Sequence, residues 1–459
     1  MPPSDATISP AMPPLARHRV LLSGWGGGAR VPADVVRVGS VEQLRAAVVG
    51  AACIAGSIAR GMGRSYGDAA QRLDGLVLDT TPMRRFEREG GVLTAGAGCT
   101  LKQLLTALEP AGWILPVVPG TQYVTVGGAI ATDIHGKNHA TAGTFANHVL
   151  SLGLLTAAGE ELEVSPDRDP ELFAATVGGM GLTGVILWAR IALTPFGGAA
   201  VSVDSERVQT LDEALDGLLA AGGSHRVAWL DLLGSLPVRG IVTRADLVDQ
   251  PVRADAAGST VPARAAVPEW WPGGILRRST VRAYNEYRFR RAPRRESGRV
   301  EPFGVHMFPL DGLDRWPRLY GRRGVVQYQL VLPRGRESDL ELLLLMLRRS
   351  RVPCYLAVLK DFGRATDAPL SFPLAGWTLA LDLPRAAPGV ESLLTRFDAV
   401  VAGAGGRVYL AKDGRLRPDA LAAMYPRLAQ WRAVRDRVDP ERRWCSDLAV
   451  RTGLVGRER

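Results

Sequence analysis

Between Ile58 and Asp68 the chain reads Ile-Ala-Arg-Gly-Met-Gly-Arg-Ser-Tyr-Gly-Asp, a strand pattern running into a loop with glycines at 61, 63 and 67. Lacking a Cβ, glycine lets successive backbone N–H groups turn to one side as a nest around phosphate oxygens, with no helix required. A second loop, Pro119-Gly-Thr121 followed by Val124-Thr-Val-Gly-Gly-Ala129, offers the same chemistry and leads into Asp133-Ile-His-Gly-Lys-Asn-His139. Either loop alone reads equally well as a tight structural turn; the two in succession predict a cofactor cradle. Two further glycine runs do not. Gly179-Met-Gly-Leu-Thr-Gly184 matches G-x-G-x-x-G as a string, but a dinucleotide fingerprint needs a strand before it and a helix after it. Here a helix pattern precedes and a strand pattern follows. Gly24-Trp-Gly-Gly-Gly28 has no strand ahead of it and reads as a flexible lead-in loop.

At 459 residues the chain exceeds a single domain of roughly 100 to 200 residues, so two or three units are expected. Ser40/Gln43, Thr100/Gln103 and Thr210/Glu213 carry the capping-box pattern that opens a helix. Between the first two, Ile54 to Arg60, Gly75 to Asp79 and Gly91 to Ala95 read as short strands. Their uneven spacing lacks a regular βαβ repeat, which predicts an α+β fold. Leu154 to Val164 and Gly184 to Pro195 read as strands around a helix at Pro170 to Thr176. Val325 to Pro333 alternates like a strand and leads to a capping box at Ser338/Glu341 and an apolar helix, Leu342 to Leu347. These signals place a first unit at residues 1–197, a middle unit at 198–406 and a return to the first unit at 407–459.

The strings GMGRSYGD from Gly61, PGTQYVTVGGAIATDIHGKNH from Pro119, ELFAATVGGMGLTG from Glu171, QYQLVLP from Gln327, APLSFPLAGW from Ala368, VYLAKD from Val408, and MYPR from Met424 with CSDLA from Cys445 carry a resemblance. From about Leu21 to Ala449, in order, the chain resembles the decaprenylphosphoryl-β-D-ribose oxidases, a family of the vanillyl-alcohol-oxidase (PCMH-type) flavoprotein superfamily. The resemblance implies a PCMH-type FAD-binding fold of two α+β subdomains, with a substrate domain on an antiparallel sheet inserted between them. It implies that Ala59, Arg60, Gly61, Met62, Gly63, Arg64, Ser65, Tyr66, Gly67, Asp68 and Ala69 line the cofactor, with Gly120, Thr121, Thr125, Val126, Gly127, Gly128, Thr132, Asp133, Ile134, His135, Ile186 and Tyr409. Asn138 and Lys137 are further candidates that could equally cap a turn. Many relatives attach FAD through a His in the first glycine loop, at the place Arg64 occupies here. Arginine cannot form that link, so the flavin is expected to be held without a covalent bond. Two departures stand out. Ala380 replaces a cysteine that some close relatives carry, and Ser202 to His306 matches only loosely, which leaves the sugar open.

An alcohol surrenders a hydride only as its O–H proton leaves, so such a site needs a base or proton path at the oxygen. Lys412 is the first candidate for that cation or proton acceptor, against the general tendency of lysines to lie at the surface. His135 would contact flavin or sugar, or else pack structurally; Tyr66 would stack near the ring system, or else fill the core. Gln327 and Gln329 point to one face of a strand because side chains repeat every two residues. They would present two amides to a polyol, or form an exposed polar face with Tyr328 buried. Lys360 resembles a family position facing the substrate, and Tyr320 is a further nominee.

The formal net charge is +10, which favours anionic partners. Nine arginines lie between Arg277 and Arg299, interleaved with Tyr284, Tyr287 and Phe289 and preceded by Trp270 and Trp271. They form either a solvated basic loop or a segment contacting phosphate or membrane. No RNP, helix-turn-helix or zinc pattern accompanies them, so no nucleic acid is expected. Cys53, Cys99, Cys354 and Cys445 are scattered without C-x-x-C pairs, which predicts no metal and a reducing compartment. No secretory signal is read at the N-terminus, and the longest apolar stretches fall short of the roughly 18 residues of a membrane span. The expected location is cytoplasmic or peripheral at the cell membrane. The resemblance implies FAD-dependent oxidation of the 2-hydroxyl of a polyprenyl-phosphoryl-β-D-ribofuranose to a 2-keto sugar. An NAD(P)H-dependent keto-reductase partner would complete epimerisation to the arabinose donor of cell-wall polysaccharide. The alternative is a related oxidase of a soluble sugar, alditol or natural-product intermediate.

Overall fold

Short apolar runs cut by glycine and aspartate build the first part of the chain, and longer alternating strands the second. The computed structural model describes residues 15–49, 56–234, 237–249, 258–271 and 275–455; Cys53 and the start of the strand expected at Ile54 lie outside them. The chain opens with β1 (Arg17–Leu22), β2 (Val31–Arg37), α1 (Val41–Val49), β3 (Ser57–Arg60) and β4 (Leu76–Asp79). These strands form a sheet of order β1-β2-β4-β3 in which β2 and β3 run parallel to β4. Then follow β5 (Phe86–Glu89), β6 (Val92–Gly96), α2 (Leu101–Leu108), β7 (Trp113–Ile114), α3 (Val126–Ala131), α4 (His139–Ala142), β8 (Val149–Leu155), β9 (Glu161–Val164), α5 (Pro170–Thr176), β10 (Val185–Ala192) and β11 (Thr194–Pro195). Their main sheet has the order β5-β6-β10-β8-β9 and is antiparallel. Two small α+β layers thus stand where that class was expected.

The expected run Leu154 to Val164 is a hairpin rather than one strand, because Gly159 at φ +83° turns the chain between β8 and β9. The string Gly179 to Gly184 sits between α5 and β10, the reverse of the order a dinucleotide fingerprint requires. The capping box at Thr100 closes on both sides, Thr100 N–H donating to Gln103 Oε1 at 3.0 Å and Gln103 N–H to Thr100 Oγ1 at 3.2 Å. At Ser40 and Thr210 the hydroxyl caps as expected, but the returning side chains accept from the residue before the cap, Gly39 and Gln209.

The second part comprises β12 (Ala200–Val208), α6 (Leu211–Leu219), β13 (His225–Asp231), β14 (Arg239–Val248), β15 (Ala265–Ala266), α7 (Arg278–Arg291), β16 (Arg295–Pro302), α8 (Phe303–Met307), β17 (Leu313–Asp314), β18 (Val325–Pro333), α9 (Glu337–Ser350), β19 (Leu356–Phe362), β20 (Gly376–Pro384) and α10 (Val390–Gly403). The basic stretch is therefore a helix and a strand, not a loop. The apolar helix begins at Glu337, so Ser338 lies inside its first turn and caps nothing. Gly335, at φ +85°, turns the chain early, and the Glu337 carboxylate is drawn to Gly335 N–H and Trp377 Nε1.

An eight-stranded antiparallel sheet of order β16-β12-β14-β13-β19-β20-β18-β21 runs through this part. Its last member, β21 (Arg407–Val408), belongs to the C-terminal segment with α11 (Pro418–Met424), α12 (Leu428–Val438) and α13 (Asp447–Thr452). Helices α6, α9 and α10 pack on one side of the sheet. The C-terminal segment then returns to the first layer: Trp444 bridges Ser57 in parallel, Cys445 N–H donates to Ser57 O at 2.8 Å, and Asp447 accepts from Leu73 N–H at 2.9 Å. Among the described residues no helix is long and apolar enough to cross a membrane.

Candidate active site

A cavity of about 600 Å³ lies between the glycine loops and the face of the eight-stranded sheet that α6, α9 and α10 leave uncovered. Gly61, Met62, Gly63, Arg64, Ser65 and Tyr66 line one end. Among the described residues the amides of Gly61 to Ser65 donate to no protein acceptor, whereas Tyr66 N–H is spent on Ala411 O at 2.9 Å. Free amides around a glycine at φ +61°, Gly63, form an anion-binding concavity. The second loop touches the first: a Cβ on Gly61 would stand 2.2 Å from Thr125 Oγ1. Where this loop enters α3 its amides are committed, Val126 N–H to Cys99 O, Gly127 N–H to Ala97 O and Gly128 N–H to Thr125 Oγ1. That stretch supplies wall, and the first loop supplies donors.

The Gly24 to Gly28 run is not a flexible lead-in. Trp25 and Gly26 N–H donate to Ser65 O and Tyr66 O, and a Cβ on Gly24 would meet Gly67 O at 2.0 Å. This brings Trp25 to the cavity, with the Arg64 guanidinium 3.7 Å above its ring. Burial lowers the Arg64 pKa without removing its charge.

Ala59, Ala69, Gly120, Thr121, Thr125, Gly127, Gly128, Thr132, Ile134, Ile186 and Tyr409 also line the cavity. Six expected cofactor residues stand behind its wall instead. Arg60 ties the loop through Ala70 O and Ser23 O. Gly67 is pressed against Asp413 O, where a Cβ would come within 1.8 Å. Asp68 pairs with Arg451, and Val126 is fully buried in the core. Asp133 accepts from Ser371 Oγ at 2.5 Å, and Asn138 Nδ2 donates to Pro116 O at 2.8 Å. Sequence reasoning missed Trp25, Tyr123, Met180, Gly181, Gly184 and Trp316, all cavity-lining. Only the glycine string at 179–184 gave a signal, and it was set aside as a failed fingerprint.

The polar end is built by alternation along strands. Gln327 and Gln329 on β18, Lys360 on β19 and Ala380 on β20 face the cavity with Lys412 and His135. Both glutamines are buried, at 7% and 1% exposure, so the alternative of an exposed polar face fails. Tyr328 points the other way and donates to Asp398 at 2.9 Å. Gln327 Nε2 donates to Asp382 Oδ1, and Gln329 Nε2 donates to Thr378 Oγ1 and to His135 Nε2, each at 3.0 Å. Buried and near Lys360, His135 is held neutral; accepting at Nε2, it carries its proton on Nδ1. That atom and both glutamine Oε1 atoms have no hydrogen-bond partner among the described residues. Burial lowers the Lys412 pKa to about 8, with the Asp382 charge opposing the fall. Lys360 drops to about 7, through burial and then the charges of Lys412 and Lys137. The Tyr66 ring lies 5.6 Å from Lys412 Nζ, and burial holds its phenol protonated. Tyr320 does not reach the cavity; it packs between Trp316 and Tyr355.

Residues 32–165 match the FAD binding domain family, and residues 382–452 match the D-arabinono-1,4-lactone oxidase family. Decaprenylphosphoryl-β-D-ribose oxidase of Mycolicibacterium smegmatis is 38% identical over 451 residues, covering 95% of this chain and 97% of that protein. The chain belongs to the decaprenylphosphoryl-β-D-ribose oxidase family. As a member it is an FAD-dependent oxidoreductase. An uncharacterized protein of the mprA 5′ region of Streptomyces coelicolor is 39% identical over 375 residues, 77% of this chain and all of that protein. Cytokinin dehydrogenase 2 of Oryza sativa is 32% identical over 42% of this chain and 37% of its own. The free amides at 61–65 and the unpartnered buried polar atoms at His135, Gln327 and Gln329 fit FAD: an anionic diphosphate at one end, a polar ring system at the other.

Proposed function

We propose that this oxidase takes one hydrogen from C2 and one from the 2-hydroxyl oxygen of a polyprenyl-phosphoryl-β-D-ribofuranose, giving the 2-keto sugar. The observation that carries this is one continuous cavity joining free loop amides to a cluster of two half-buried lysines and two buried glutamines. Bound FAD supplies the two-electron acceptor. Residues 1–197 and 407–459 together hold the cofactor, and 198–406 roof the substrate.

Lys412 accepts the hydroxyl proton at Nζ, a role that burial supports by favouring the neutral amine. Lys360 donates a hydrogen bond from Nζ to the oxygen as charge develops there, which its neutral amine can do as well. The unpartnered Oε1 atoms of Gln327 and Gln329 take hydrogen bonds from sugar hydroxyls, and His135 Nδ1–H donates to the cofactor or sugar. Tyr66 and Tyr409 wall the ring system, and the buried sheet keeps water from the reacting atoms. A separate NAD(P)H-dependent reductase completes epimerisation. The enzyme meets its lipid-linked substrate at a membrane surface through Trp270, exposed by 77%, and through Tyr284 and Tyr287, exposed by 57% and 60% among the arginines of α7.

Anaerobic mixing of the yellow holoenzyme with polyprenyl-phosphoryl-ribose, free pentoses and alditols tests the reading. Bleaching by the lipid-linked sugar is expected; bleaching by soluble polyols alone would overturn it.

A further inference from the structure

The cavity does not end at the lysines. The strand order carries it from β18 and β20 across β19 and β13 toward the opposite edge of the sheet, β14-β12-β16. Along that stretch the wall is mainly apolar, with Val358, Val227, Ile241 and Val203 facing inward beside Thr243. Charge returns at the far end, where Arg288 of α7 and Arg299 and Glu301 of β16 line the same space.

Of the two arginines at that end, Arg288 is the one without a carboxylate partner. Arg239 is paired with Asp231 and Glu286, Arg290 with Glu286, and Arg299 with Glu296 and Glu301. Arg288, among the described residues, has no carboxylate within ion-pair distance; its guanidinium carbon lies 4.8 Å from the Trp229 ring. A guanidinium stacked on an indole keeps its plane fixed and its N–H edges open, the arrangement that receives two oxygens of a phosphate. Lys137 adds a second cation. It is half-buried, lines the cavity and donates to His306 O, and it feels Glu301 as an attracting and Arg288 as a repelling charge.

We propose that Arg288 recognises the phosphate ester of a lipid-linked substrate, seating its isoprenoid chain along the Val203, Val227 and Ile241 wall. This rests on the substrate class proposed above, and it makes Arg288 a specificity residue remote from the reacting carbon. Its test therefore uses binding rather than turnover.

The FAD-loaded protein is titrated calorimetrically with farnesyl monophosphate and with farnesol. The parent is expected to bind the phosphate at least about tenfold more tightly. Arg288→Ala should weaken farnesyl phosphate about 10- to 100-fold, the range for a charge-assisted contact, while farnesol affinity and flavin content stay unchanged. Arg288→Lys should recover part of the loss. No preference in the parent, undiminished binding by Arg288→Ala, or an equal loss for both ligands would overturn the proposal. So would inorganic phosphate displacing the ester at equal concentration, which would mark a free-phosphate site. If lipid-phosphoryl-ribose bleaches the flavin while Arg288→Ala binds farnesyl phosphate normally, the functional reading stands and this one falls.

Discussion

Lys412 concentrates what a single residue does in this site. Its pKa of about 8 in the folded protein lies below that of a free lysine, so the neutral, proton-accepting form grows as pH rises from 7 to 9. The single-turnover rate of flavin reduction is expected to climb across that window and level off above it. Lys412→Ala should keep its yellow flavin and lose roughly a hundredfold or more of that rate, the usual scale of a general base. Stopped-flow absorbance over a pH series checks both; a variant retaining the parent's rate and slope would remove Lys412 from the mechanism. At this scale the sequence was legible where strand alternation applies, as for Gln327, Gln329 and Tyr328. It was not legible for Trp25, whose position depends on a contact with Ser65 and Tyr66 that no local pattern announces. Tyr320 was misplaced because an aromatic ring near a site fills core as readily as it lines a cavity.

Among elements, the first glycine loop is the most tightly constrained. A methyl on Gly61 would sit 2.2 Å from Thr125 Oγ1, forcing apart the two segments that meet there. Gly61→Ala is therefore expected to purify with little flavin and to lose about 1–3 kcal/mol of stability through overpacking. At Gly120 an added Cβ meets nothing within 4 Å, so Gly120→Ala should unfold at the parent's temperature. Thermal unfolding and the 450 nm absorbance of the purified proteins (~450 nm is the usual flavin band) compare them. Helix starts were legible where a hydroxyl caps its own turn, as at Thr100, and illegible at Glu337, where the preceding glycine turn decides the boundary.

For the whole molecule, the decisive feature is the return of the C-terminal segment onto the first sheet. Arg451 reaches both Asp68 beside the glycine loop and Asp413 beside Lys412, and Trp444 is buried against the opening layer. Truncation after residue 406 removes these contacts and Lys412 itself, so the shortened chain should fail to accumulate as soluble, flavin-bearing protein; a yellow soluble product would contradict the two-ended cofactor unit. The α+β class, the break before β12 and the return of the last segment to the first unit could be read from helix and strand signals, but the contacts that make this closure could not, since they join residues from opposite ends of the chain. One last consequence follows from Ala380. Where a cysteine would present sulfur to the cavity there is a methyl group, and the described thiols, Cys99, Cys354 and Cys445, are buried and line no part of it. A thiol-directed reagent that enters it finds no sulfhydryl to bond among the described residues, so it must dwell there by affinity alone, and washing should restore the activity it blocked.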